Sequence, residues 1–409
     1  MINVPLTATG SSCTAAVSVG GVKRSLLVDT TSSNVLVPCV DDAKCPQACA
    51  PRKLWYAIPR SEEAICATPT PTTVEIDSFQ AAPGFRVGVV GANAVADKKW
   101  RLLNGTDGVL GLGPASRGVY DPMLRMDVPA NESVLTSQLQ SYSLWLGSSP
   151  PALVLNGDHP DASSFQAVEL PVRASRYSFE FKGKAVLLGG ETMIDYISKD
   201  FTVDPTIDTV SIPSEATEKI WQTLGKLPSC LVKPTVLITD RRCDADAKLP
   251  PLGLVFGTHT FILQKEDYTK PHPKFPSQLT LKIDIGASNL RLGLPFLRKF
   301  GVKIAVDGND VTLYCKQGAT CSFGAQSLPE SSSSPSPSAD NGSTSSSSSS
   351  SSSTSTGTII GIIVAIVVFA LFALFIIRKR RLAKRSIEEQ AADAAFAGAE
   401  TPQKKKSIS

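Results

Sequence analysis

Histidine is scarce in this chain, with three in 409 residues. His159, His259 and His272 show no ligand spacing with the nine cysteines, so neither a metal nor any other cofactor is expected. Charge is sparse too, at 19% of residues, and clustered positive charge is missing where a nucleic-acid surface would need it. Nine Lys/Arg and four Asp/Glu lie from Arg378 onward, which leaves 32 basic against 33 acidic residues before that point. A nearly neutral folded part argues against nucleic acid as a partner. Nine cysteines in so long a chain exclude a disulfide-dense miniprotein, and an apolar content of 42% excludes disorder throughout. The opening stretch, MINVPLTATG, lacks a basic start followed by an apolar core.

The positive tail has a neighbour that explains it. TIIGIIVAIVVFALFALFII, residues 358–377, is uncharged and long enough to cross a bilayer as a helix. Arg378, Lys379, Arg380, Arg381, Lys384 and Arg385 follow it and predict a cytoplasmic C-terminus, with residues 1–357 outside the cell or in a lumen. That topology calls for a secretory signal, and the expectation is that the chain continues upstream of Met1. Residues 331–355 hold 17 Ser, a composition that cannot bury enough apolar surface to fold and reads as a stalk over 324–357. Sequons at Asn104, Asn131 and Asn341 fit N-glycosylation on the exterior side. An oxidising compartment makes Cys45 with Cys49, Cys230 with Cys243, and Cys315 with Cys321 plausible local disulfides. Cys13, Cys39 and Cys66 make the total odd, so one thiol is free or pairs elsewhere.

Up to about Phe323 the pattern is of short β segments punctuated by Gly, Pro and Asp, which predicts a mainly antiparallel β protein. Val17 and Val19, then Gly20-Gly21, then Leu26 and Val28 predict one hairpin. Val302, Ile304 and Val306, then Asp307 to Asp310, then Val311 and Leu313 predict another. SEATEKIWQTLG predicts a helix capped by Ser214, with Ile220, Trp221 and Leu224 on one face and Gly225 at its end. The length predicts two lobes, residues 1–165 and 166–323.

LLVDTTSSNVLVPC, Leu26 to Cys39, resembles the first active-site segment of the pepsin-like aspartic peptidases, matching at Asp29, Thr30, Ser32, Ser33, Asn34, Val37 and Pro38. DGVLGLGP (Asp107–Pro114), SRYSFEFKGKAVL (Ser175–Leu187) and PTIDTVSIPSEATEKIW (Pro205–Trp221) resemble later segments of that family in family order. So do Leu249–Tyr268 and Leu290–Tyr314. The resemblance covers nearly all of residues 3–314. It implies a two-lobed, mainly β fold with a cleft, and a monomeric endopeptidase that binds a peptide or protein there. It further implies hydrolysis by two carboxylates, Asp29 and Asp208, one of them protonated as acid and the other activating a water. Thr30 and Thr209 would interlock the two loops, Ser32 would tune Asp29, and Thr31, Val210 and Ser211 would line the loops. Asp284 is the rival second aspartate, in KIDIGASNL, and its closeness to Gly293 reads it as a strand or loop residue.

Three departures accompany the resemblance. Thr31 stands where the family has Gly. Only four residues separate Asp208 from Pro213, where the family has about eight. No Tyr-Gly-Thr-Gly flap hairpin is recognisable, Tyr56 being the tyrosine available there. Two functions therefore stand side by side, an anchored aspartic endopeptidase and a catalytically impaired relative that uses the cleft to bind peptides or a protein.

Overall fold

Strands dominate this chain because apolar residues alternate or run in short stretches between turn formers. The computed structural model describes residues 1–9, 12–39, 54–57, 64–90, 105–114, 120–121, 126–127, 133–174, 178–231, 241–285, 290–308, 310–316 and 321–323. Cys13–Val19 and Val22–Asp29 form the first predicted hairpin, with Val19 opposite Val22. The intervening Gly20 and Gly21 have φ of 60° and 78°, a region open to glycine at little cost. Gly301–Ala305 and Asp310–Cys315 form the second, with Ala305 opposite Asp310. The predicted helix spans Ser214–Leu224 and buries Ile220, Trp221 and Leu224; its cap position is Pro213, so Ser214 is its first residue and makes no side-chain cap.

A six-stranded antiparallel platform joins the two halves of the sequence. Ile2–Ala8 pairs with Ala152–Leu155, which pairs with Ser141–Trp145, then Gly301–Ala305, Asp310–Cys315 and Gln166–Ala174. Met1–Ser334 form one compact unit, and strands from near both ends of that unit share one sheet.

On this platform each half builds a similar motif, a strand with a buried end that leads into an aspartate and has a parallel neighbour beside it. In the first half Val22–Asp29 runs parallel to Val109–Gly111, with Leu110 opposite Val28 and Gly111 opposite Asp29. In the second half Asp200–Val203 runs parallel to Leu290–Leu292, with Val203 opposite Leu292. Leu26, Leu27, Val28, Phe201, Thr202 and Val203 are all buried, as strands covered on both faces must be. Phe201 packs edge-to-face on Phe256 at 5.1 Å between centroids, and Phe256 in turn contacts Phe261 at 5.7 Å and Phe296 at 6.2 Å, an aromatic cluster that fixes the second strand.

Cys230 and Cys243 are opposite one another on paired strands and form a disulfide, as do Cys315 and Cys321. Cys13 is a buried free thiol, pushed up to about 12 by burial, and Cys39 is disulfide-bonded. The expected Cys45–Cys49 pair, the sequons at Asn104, Asn131 and Asn341, the stalk, the apolar run 358–377 and the basic tail lie outside the described residues. Among the described residues, no helix is long and apolar enough to cross a membrane.

Candidate active site

The Asp29 loop follows directly from its strand. Val28 is buried on one side of the pleat, Asp29 ends the strand, and the chain turns so that the Thr31 N–H donates to Asp29 Oδ1 at 2.8 Å. The Thr31 hydroxyl donates to the same oxygen at 2.7 Å. Gly111 closes against the loop: a Cβ there would stand 2.5 Å from the Asn34 backbone and 2.8 Å from the Ser32 carbonyl. The Leu112 N–H donates to the Asp29 carbonyl at 2.7 Å.

The second half repeats this around Asp204. The Thr206 N–H donates to Asp204 Oδ1 at 3.0 Å and the Thr206 hydroxyl to the same oxygen at 2.5 Å. A Cβ on Gly293 would stand 2.1 Å from the Thr209 carbonyl oxygen and 2.7 Å from that of Ile207. The closing glycines thus meet their loops three and five residues past the aspartate in both halves. Asp29 is 0% exposed and Asp204 1%.

The two loops are joined. The Thr30 hydroxyl donates to the Val203 carbonyl, next to Asp204, at 2.5 Å. Pro205 occupies the matching place in the second loop and has no hydroxyl to return the bond. Burial first, and then the charge of Asp204, push the Asp29 carboxyl up to about 6, against the Ser32 hydroxyl and the Thr31 groups, which favour its charged form. Ser32 lies near without closing a hydrogen bond: its hydroxyl, Asp29 Oδ2 and the Tyr142 hydroxyl are buried with no hydrogen-bond partner among the described residues. Tyr142, on the platform strand Ser141–Trp145, has its phenol held well above the ordinary value by burial and then by Asp29.

Asp208 is not the residue brought to Asp29. It stands past the loop, 23% exposed at its side chain, with Lys270 Nζ at 3.7 Å and Lys282 Nζ at 3.8 Å. Thr209 likewise does not interlock the loops; its hydroxyl donates to Asp284 at 2.6 Å. Val210 and Ser211 are buried in the strand Val210–Ile212, beyond the carboxylates, and Asp284 sits in the strand Ile283–Ile285. The apparent shortening of the second loop vanishes with this correction, because Asp204 is separated from Pro213 by eight residues. Two signals in the sequence mark Asp204: that spacing, and the repetition of Val-Asp-x-Thr at Val28–Thr31 and Val203–Thr206. Thr206, Tyr142 and Arg291, whose Nη1 is 3.4 Å from Asp204 Oδ2, carry no such signal.

The Tyr-Gly-Thr-Gly sequence is absent, and strand pairing nonetheless forms a hairpin between Asp29 and Asp107. Leu54–Ala57 pairs antiparallel with the start of Ala64–Pro71, Tyr56 opposite Ile65, and the longer strand continues along Arg86–Val90. A hairpin is present without the Tyr-Gly-Thr-Gly sequence, because strand pairing depends on backbone and burial more than on that motif.

The fold is that of the pepsin-like aspartic proteinases. Among solved structures it is similar to an aspartic proteinase from Irpex lacteus, with a TM-score of 0.60 and 19% identity over 77% of this chain and 97% of that one. No family model and no curated protein matches the sequence.

Proposed function

We propose that this chain is a membrane-anchored endopeptidase in which Asp29 and Asp204 hydrolyse peptide bonds by activating a water. The observation that carries this is the repeated loop geometry, which delivers two buried carboxylates from two halves of the chain into electrostatic contact. Two carboxylates so placed resist ionising together, so one holds a proton that the other has given up. Sharing of one proton between paired carboxylates is the established behaviour of aspartic proteases as a class.

The chemistry needs four proton movements and no other reagent. The charged carboxylate takes a proton from water as its oxygen bonds to the peptide carbonyl carbon, and the neutral carboxyl gives its proton to the carbonyl oxygen. The resulting diol then collapses: the C–N bond breaks, nitrogen receives the proton first taken from water, and a hydroxyl proton returns to the carboxylate that began as acid. The lobes 1–165 and 166–323 would form the peptide-binding cleft, with the hairpin at Tyr56 over it. The stalk 324–357 would hold the cleft away from the bilayer, the run 358–377 would span it, and 378–409 would face the cytoplasm. Sequence composition supports that arrangement.

A second reading, a cleft that binds peptides without cutting them, is favoured by the threonine side chains on both carboxylates and the guanidinium on Asp204. The full chain in detergent, incubated with an unstructured polypeptide from pH 3 to 7, separates the two. Hydrolysis that falls about a hundredfold or more in Asp29→Asn supports the peptidase. Equal hydrolysis in both refutes the two-aspartate mechanism, and none in either, with retained binding of a peptide carrying a hydroxyl in place of the scissile carbonyl, supports the binding role.

A further inference from the structure

The two halves of the site are alike in backbone and unlike in charge. Two residues before each aspartate, Leu27 pairs with Val109 and Thr202 pairs with Arg291. Val109 is buried and apolar. Arg291, 41% exposed at its side chain, places Nη1 3.4 Å from Asp204 Oδ2. Asp29 meets no cation at the matching place: its Oδ1 accepts from Thr31, and its Oδ2 is buried with no hydrogen-bond partner among the described residues. A guanidinium stabilises a neighbouring carboxylate in its charged form, whereas enclosure among apolar groups favours the neutral acid.

We propose that Arg291 fixes which member of the pair carries the proton, so that Asp204 is the carboxylate and base and Asp29 is the protonated acid. This rests on the two-aspartate reading above. In that scheme water gives its proton to Asp204, and Asp29 gives its proton to the carbonyl oxygen. Arg291 acts through Asp204 and is a positioning residue. Among the described residues, the other ionisable groups near the pair do not compete for this role. Tyr142 is buried and its phenol stays neutral. Asp208 faces Lys270 and Lys282, which answer its charge four residues further along. The upward displacement of the Asp29 carboxyl by burial and by the Asp204 charge agrees with the assignment.

The test uses the full chain in detergent, as wild type, Arg291→Gln and Arg291→Lys, with two readouts from pH 3 to 8. The first is the pH profile of kcat/KM, whose acid limb follows protonation of Asp204. Arg291→Gln is expected to move that limb upward by about one pH unit, while Arg291→Lys keeps it near the wild-type position. The second needs no turnover: the unfolding midpoint against pH is expected to shift its pH window in the same direction in Arg291→Gln, and Asp204→Asn to erase the difference between Arg291 and Gln. A uniform offset of the unfolding midpoint with unmoved pH limbs, or a Lys variant displaced as far as the Gln one, would overturn the proposal. An inert wild type would bring down the peptidase reading, and the unfolding profiles would still decide whether Arg291 governs the proton.

Discussion

Asp29 shows how one buried carboxyl ties stability to acidity. Its pKa in the folded chain is about 6 against an ordinary 3.8, so the folded state holds the proton more tightly than the unfolded state. The stabilisation is complete below about pH 3.8 and is lost as pH rises through about 6, a difference of roughly 3 kcal/mol for about two units. Asp29→Asn cannot ionise, and its unfolding free energy, measured by urea titration at a series of pH values, is expected to lose that decline between pH 4 and 6. A variant with the wild-type slope would show that another group titrates there. Thr30 offers a second test at this scale. Thr30→Val removes the hydroxyl that reaches the Val203 carbonyl and leaves that buried acceptor only the longer bond from the Thr202 hydroxyl at 3.4 Å, which should cost about 1 kcal/mol in the same titration. The Asp29 loop was readable from sequence because seven of its residues match one pattern. Asp204 was not, because Pro205 interrupts the motif and Asp208, followed by Thr209, imitates it. What separates the two is three-dimensional: the strand ends at Val203, opposite Leu292, and the N–H of the next residue, Asp204, donates to the Leu292 carbonyl at 3.0 Å.

The glycine-closed loops are the elements that set the carboxylates, and they depend on the missing Cβ. At Gly293 an added methyl would stand 2.1 Å from the Thr209 carbonyl oxygen, a backbone atom that cannot rotate away. Gly293→Ala should therefore destabilise the fold by at least about 2 kcal/mol, seen as a lower urea midpoint at unchanged slope. Gly308, in the turn after Ala305, would meet its nearest atoms at 3.5 Å, so the same substitution there serves as a control with little expected effect. Both hairpins and the Ser214–Leu224 helix were legible from alternation, turn residues and the apolar stripe. The Tyr56 hairpin was not, since its pairing rests on the partner strand Ala64–Pro71 continuing into the sheet, a contact no local motif announces.

At the scale of the whole molecule, a neutral β unit built on one platform is followed by composition that speaks of a stalk, a bilayer span and a basic stop. The full chain is expected to remain in the membrane fraction after alkaline carbonate washing, and a chain ending at residue 357 to appear in the supernatant. Retention of the shortened chain would contradict anchoring by residues 358–377. The mainly β fold was legible in the order of six segments along the chain, while the pairing of the two carboxylates required the parallel registers of two strand pairs far apart in sequence. The most direct measurement is the initial rate of hydrolysis of an unstructured polypeptide by Asp204→Asn and Asp208→Asn beside the wild type. Asp204→Asn is expected to lose nearly all activity and Asp208→Asn to retain most of it; the reverse order would contradict the pairing of Asp29 with Asp204.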